Sequence, residues 1–128
     1  MNFSTYDPEV IAREALAQCD PYFSNSAEYQ ALRPYETDIL GVVLSAFGKY
    51  LCRLARATVA DELENETRIA YAAMEALCST RSLSIRSLIM DEAFDAPGTD
   101  PDQWKEVAER VGSNTRALYR AWASSTDT

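Results

Sequence analysis

The stretch TDILGVVLSAFGKYLCRLARA, Thr37 to Ala57, decides the fold. Ile39, Leu40, Val43, Leu44, Phe47, Tyr50, Leu51 and Leu54 recur at three- and four-residue spacing, the signature of a helix. Gly41, Ser45, Gly48, Cys52 and Arg56 form a narrow opposite stripe. A helix that is apolar over most of its circumference sits at the centre of its domain. Each glycine costs about 1 kcal/mol inside a helix, so the small stripe is expected to serve close approach by another helix.

Working outward, helical signals continue in both directions. Asp7-Pro8-Glu9 is a start signal: the Asp side chain caps, Pro suits the first helical position, and Glu suits the positive end of the dipole. That helix should run to about Gln18, with Val10, Ile11, Ala15 and Leu16 on its buried side. Cys19 to Pro34 reads as a loop with one or two irregular helical turns. Tyr22, Phe23, Tyr29 and Tyr35 gather there and are expected to seal this stretch onto the core. DELENETRIAYAAMEALC, Asp61 to Cys78, is a second long helix with an acidic start. LSIRSLIMDEAF, Leu83 to Phe94, is a shorter one, and Pro97-Gly98 centres a turn. Asp100-Pro101 repeats the start signal for a helix ending at Gly112, and Ser113 opens the last helix. No segment has a strand period. The expectation is an all-α fold, a single compact bundle of five or six helices. Residues 1–35 would form an N-terminal helix and loop, 36–123 the helical core and 124–128 a frayed tail.

Composition narrows the function classes. The chain has 128 residues, 47% of them hydrophobic, enough for a sizeable core. Twenty Asp and Glu face twelve Lys and Arg, giving a net charge of −8. Such a chain repels polyanions and steers cations toward itself. It has no histidine, which removes the commonest general base and metal ligand. Ser-His-Asp and Cys-His arrangements are therefore impossible, and no Gly-rich phosphate loop is present. No metal site, no cofactor and no enzymatic activity is expected. A small enzyme would need a carboxylate-lined pocket that the spacing does not specify. Glu75, within IAYAAMEALC, and the pair Asp91-Glu92 are the candidate carboxylates. For Glu75 a structural ion pair is expected, with Arg53, Arg68 or Arg86 available as partners. Cys19, Cys52 and Cys78 read as buried, reduced thiols. Met1 to Gln18 lacks the pattern of a signal peptide, and Ile39 to Gly48 is too short to cross a bilayer. A cytoplasmic location without membrane contact is the corresponding expectation.

VAERVGSNTRALYRAWA, Val107 to Ala123, has the outline of a helix-turn-helix. Ala108 would allow close crossing, Gly112 the turn, and Asn114, Thr115, Arg116, Tyr119 and Arg120 would face DNA. The same residues suit any two helices joined tightly. Asp91, Glu92, Asp95, Asp100 and Asp102 lie just upstream, whereas a DNA reader shows a broad basic face. Packing is the favoured reading and DNA binding by residues 107–123 the alternative.

Four short pieces, taken in order, carry a resemblance: Phe47-Gly48-Lys49-Tyr50, Met74-Glu75-Ala76-Leu77, Ile89-Met90-Asp91-Glu92-Ala93-Phe94, and Val111-Gly112 through Tyr119 to Trp122. Over roughly Glu36 to Trp122 the chain resembles a family of small all-helical bacterial proteins of unassigned activity. It departs from that pattern at Ser113-Asn114, near which a proline is expected, and residues 1–35 have no counterpart. Proteins of this kind look like immunity partners of bacterial polymorphic toxins. The resemblance therefore implies a binding role: neutralising a cognate toxin domain with a cationic cleft. The expected contact surface is Asp61, Glu62, Glu64 and Glu66, with Asp91, Glu92, Asp95 and Asp100 as a second group. The bland alternative for each is a solvated helix end or turn.

Overall fold

The computed structural model describes residues 7–57, 61–96 and 101–126; at 61–63, 101, 125 and 126 it describes the backbone alone. Among the described residues seven α-helices follow in order: α1 (Pro8–Ala17), α2 (Ala27–Gln30), α3 (Leu40–Arg56), α4 (Asp61–Cys78), α5 (Leu83–Leu88), α6 (Pro101–Val111) and α7 (Ser113–Thr126). A 3₁₀ turn at Pro34–Asp38 leads into α3, and α5 continues directly into a π-helical segment, Ile89–Phe94. No strand occurs among the described residues. The all-α expectation holds, and α2 is the irregular helical turn expected between Cys19 and Pro34.

Local chemistry explains most boundaries. Asp7 caps α1 by accepting the Glu9 amide at 2.9 Å. Ser26 and Ser82 cap α2 and α5 by accepting the Tyr29 and Ile85 amides at 3.2 and 3.3 Å. Each such cap contributes about 1 kcal/mol. The 3₁₀ turn takes Thr37 and Asp38, so α3 begins at Leu40 rather than at Thr37. Arg13 of α1 clamps this turn, donating to the carbonyls of Thr37 and Asp38 at 3.1 and 3.0 Å. α7 runs to Thr126, past the expected end at Ala123. The turn expected around Pro97-Gly98 lies outside the described residues.

Helix α3 is central, as its pattern requires: Leu44, Phe47, Tyr50 and Leu51 are fully buried. Each such side chain contributes about 1.5–3 kcal/mol on removal from water. Its small stripe faces the π segment. At Gly48 an added Cβ would fall onto the Ala93 carbonyl, so the two backbones touch. At Gly41 the Glu92 and Leu88 side chains lie in ordinary contact, 3.4–3.6 Å away. Cys52 is buried too, and its carbonyl accepts from Gln103 of α6 at 3.0 Å.

Two aromatic clusters fasten the flanks to this axis. Phe23 packs edge-on to Phe47 and Tyr29, with ring centroids 4.9 and 5.2 Å apart. Phe94 anchors the C-terminal half, 4.9 Å from Trp104 and within 6 Å of Tyr119 and Trp122. The aromatic seal before α3 is thus made by Phe23 and Tyr29, whereas Tyr22 and Tyr35 are exposed. The buried side of α1 also differs from expectation. It is Ala12, Ala15 and Leu16; Val10 and Ile11 are 47% and 48% exposed. α1 docks through Ala12, Ala15 and Leu16 on one narrow row, and Val10 and Ile11 fall outside it. Ile39 is exposed too: it occupies the position before α3 in extended backbone, outside the helical face its spacing implied.

Candidate interaction surface

Of the first expected acidic group, the two described side chains, Glu64 and Glu66, face different ways. Glu64 and Glu66 lie two residues apart on α4, which turns them about 200° from each other. Glu64 is exposed on the rim of a groove of about 540 Å³ walled by α3, α4 and α6. Glu66 points to a different groove, of about 590 Å³, shared with Tyr22, Asn25 and Arg53. Asp91 and Asp95 are exposed on and just after the π segment, while Glu92 is half-buried with its chain over Gly41. Asp61 and Glu62 contribute described backbone to the first turn of α4, but their side chains, and Asp100 altogether, lie outside the described residues.

Glu66 is held from beneath. The buried Tyr50 hydroxyl donates to its Oε2 at 2.5 Å, and the Cys19 thiol donates to Tyr50 at 3.8 Å. Burial first, and the hydrogen bond to Glu66 second, push the Tyr50 hydroxyl far above the ordinary range. Tyr50 therefore stays a neutral donor. Beside it, Arg53 forms a two-pronged pair with Glu28 at 2.7 and 3.2 Å and stacks 5.5 Å over the Tyr50 ring. Cys19, Cys52 and Cys78 are all buried and unlinked.

Glu75 has a different partner from the arginine expected. Its carboxylate accepts the backbone amides of Asn114 and Thr115 at 2.8 and 3.0 Å and the Thr115 hydroxyl at 2.9 Å. A side chain of α4 thus caps the N-terminus of α7, where the helix dipole favours negative charge. Burial pushes the Glu75 carboxyl up, but these three donors and the nearby Arg116 outweigh it and hold the group below the usual range. Of the expected partners, Arg53 pairs with Glu28 instead.

This cap also explains Gly112. The residue is the sole joint between α6 and α7, at φ +158°, and an added Cβ would lie 2.5 Å from the Glu75 carboxyl carbon. Glycine is required by the approaching carboxylate. A DNA-binding helix-turn-helix spaces its helices by a three- or four-residue turn, and here one residue suffices. Arg116 and Arg120, the cations such a reader would offer, lie 3.1 and 3.4 Å from the Glu109 carboxylate of α6. Thr115, expected to face outward, is fully buried.

The groove under Glu64 holds residues that sequence reasoning missed. Arg68 donates to the Asn65 amide oxygen, and Arg110 of α6 lines the same groove as Tyr71. Burial raises the Tyr71 hydroxyl and Arg110 partly offsets it. Arg68 and Tyr71, three apart on α4, were legible as one helical face; the arrival of Arg110 from α6 was not.

Comparison with protein-family models, curated proteins and solved structures gives no match for this chain. Among the described residues, no helix is long and apolar enough to cross a membrane.

Proposed function

We propose that this chain is an immunity-type binding protein that neutralises a bacterial toxin domain by covering its cationic cleft. The observation that carries the reading is the display of the acidic excess. Glu64, Asp91 and Asp95 are exposed and form no ion pair among the described residues, so their charge is available to a partner. Exposed carboxylates on a rigid helical frame favour rapid, steered association with a cationic surface. Glu66 has a lesser part in this reading, because Tyr50 already engages it. The interior supports a scaffold role: buried rings, capped helices and close backbone contacts fix the exterior in place.

The test is a complex with the toxin domain encoded beside this gene. Calorimetry should show a one-to-one complex. The combined reversal Glu64→Lys, Asp91→Lys and Asp95→Lys should weaken it by about 2–5 kcal/mol if the charges are desolvated in the interface. Full-strength binding by the reversed variant, or no complex at all, would sink the reading.

A further inference from the structure

The groove between α3, α4 and α6 meets that acidic surface at Glu64, but its cationic side chains give it chemistry of the opposite sign. Leu54, Ala55 and Val111 supply apolar walls, Tyr71 an aromatic ring, and Arg68 and Arg110 two guanidinium groups. Its volume of about 540 Å³ falls within the usual range for small-molecule sites. The chain carries eight more acids than bases, yet neither arginine forms an ion pair among the described residues. Arg68 is oriented by a neutral group, the Asn65 amide oxygen, and Arg110 lines the groove together with Tyr71. A guanidinium has five N–H donors in a fixed fork, so one neutral contact orients it and leaves donors free.

We propose that this groove binds a small aromatic anion, its flat apolar body against Tyr71 and Leu54 and its carboxylate, sulfonate or phosphate ester between Arg68 and Arg110. Two guanidiniums and an apolar, aromatic lining in one groove match such a ligand in charge and chemistry. Glu64 stands on the rim as the one carboxylate among the described residues lining the groove. It disfavours a highly charged ligand and selects for a monoanion. A macromolecular polyanion is disfavoured further by the net charge of the whole chain.

The probe is 1-anilinonaphthalene-8-sulfonate, an aromatic monoanion, titrated into the native protein by fluorescence and calorimetry. Saturable one-to-one binding is expected, with amide shifts confined to residues 54–55, 64–72 and 110–111. Replacing both cations (Arg68→Gln with Arg110→Gln) should lower affinity about tenfold or more, with the thermal melt unchanged. Glu64→Gln should raise affinity severalfold, a sign that non-specific dye binding to loosened protein would not give. Ala72→Glu, at an exposed position of the groove wall, supplies a blocking variant that leaves the core intact. It should abolish the fluorescence increase if the double variant proves unfolded. Native protein that fails to saturate, or equal binding by the double or blocking variant, would overturn the proposal.

Discussion

At the residue scale, Glu75 is the most consequential ionisable group. A lone carboxylate inside an apolar run is legible as an anomaly, and its identity as a structural group is legible as well. Its partner was not: the sequence offered arginines, and the chain folds so that two backbone amides and a hydroxyl of α7 reach it first. Backbone donors at a helix N-terminus carry no sequence label. Because the folded carboxyl titrates below its ordinary value of 4.5, its stabilisation is complete above that value and is lost as pH falls through the folded pKa. Glu75→Gln should therefore destabilise the protein at pH 7 by about 1–2 kcal/mol, the worth of a lost cap. Its stability should also fall less steeply below pH 4.5 than that of the parent. Urea unfolding at pH 7, 5, 4 and 3 checks this, and parallel curves for the two proteins would contradict the assignment.

At the element scale, the contact of α3 with the π segment organises the molecule. The small stripe on α3 was legible as a close-packing face, and Gly48 fulfils it by meeting the Ala93 backbone. The four short motifs singled out in the sequence also acquire a structural meaning. Gly48 meets Ala93, Glu75 meets the residues after Gly112, and Phe94 meets Trp122. They are the places where elements touch, which ties them to architecture before any site. Two glycine variants separate helix propensity from packing. Gly41→Ala has room, with its nearest neighbours at 3.4 Å and beyond. It should leave the melting temperature unchanged or raise it, by up to about 1 kcal/mol of stability. Gly48→Ala gains the same propensity but drives a methyl into a carbonyl, so a net loss of about 1–3 kcal/mol is expected. Thermal unfolding of the pair decides the matter, and equal stabilities would deny the close approach.

At the scale of the whole molecule, charge and interior divide the work. The interior is assembled from buried rings and aliphatics, and the surplus of carboxylates lies outside it. Steering by such an exterior has a signature in salt. The association rate with the proposed cationic partner should fall about tenfold or more between 0.05 and 0.5 M salt, as the Debye length contracts, with little change in dissociation. Stopped-flow mixing over that range measures it, and a salt-independent association rate would remove electrostatic steering from the mechanism. The groove holding Arg68 and Arg110 is the local exception to this field, small enough that the long-range repulsion of a monoanion is outweighed at contact.

The sequence by itself determined the helical class, the central place of α3, most helix starts and the close-packing stripe. Each of these depends on neighbours within a few residues: apolar spacing sets a helix face, and Asp-Pro or Ser sets its start. It took the packed fold to show that Glu64 and Glu66 serve different grooves, that Val10 and Ile11 lie outside the docked row of α1, that Glu75 caps α7, and that Arg110 joins Arg68. Those outcomes require knowing which helix arrives beside which. That is set by the summed packing of distant side chains, and no local pattern records it.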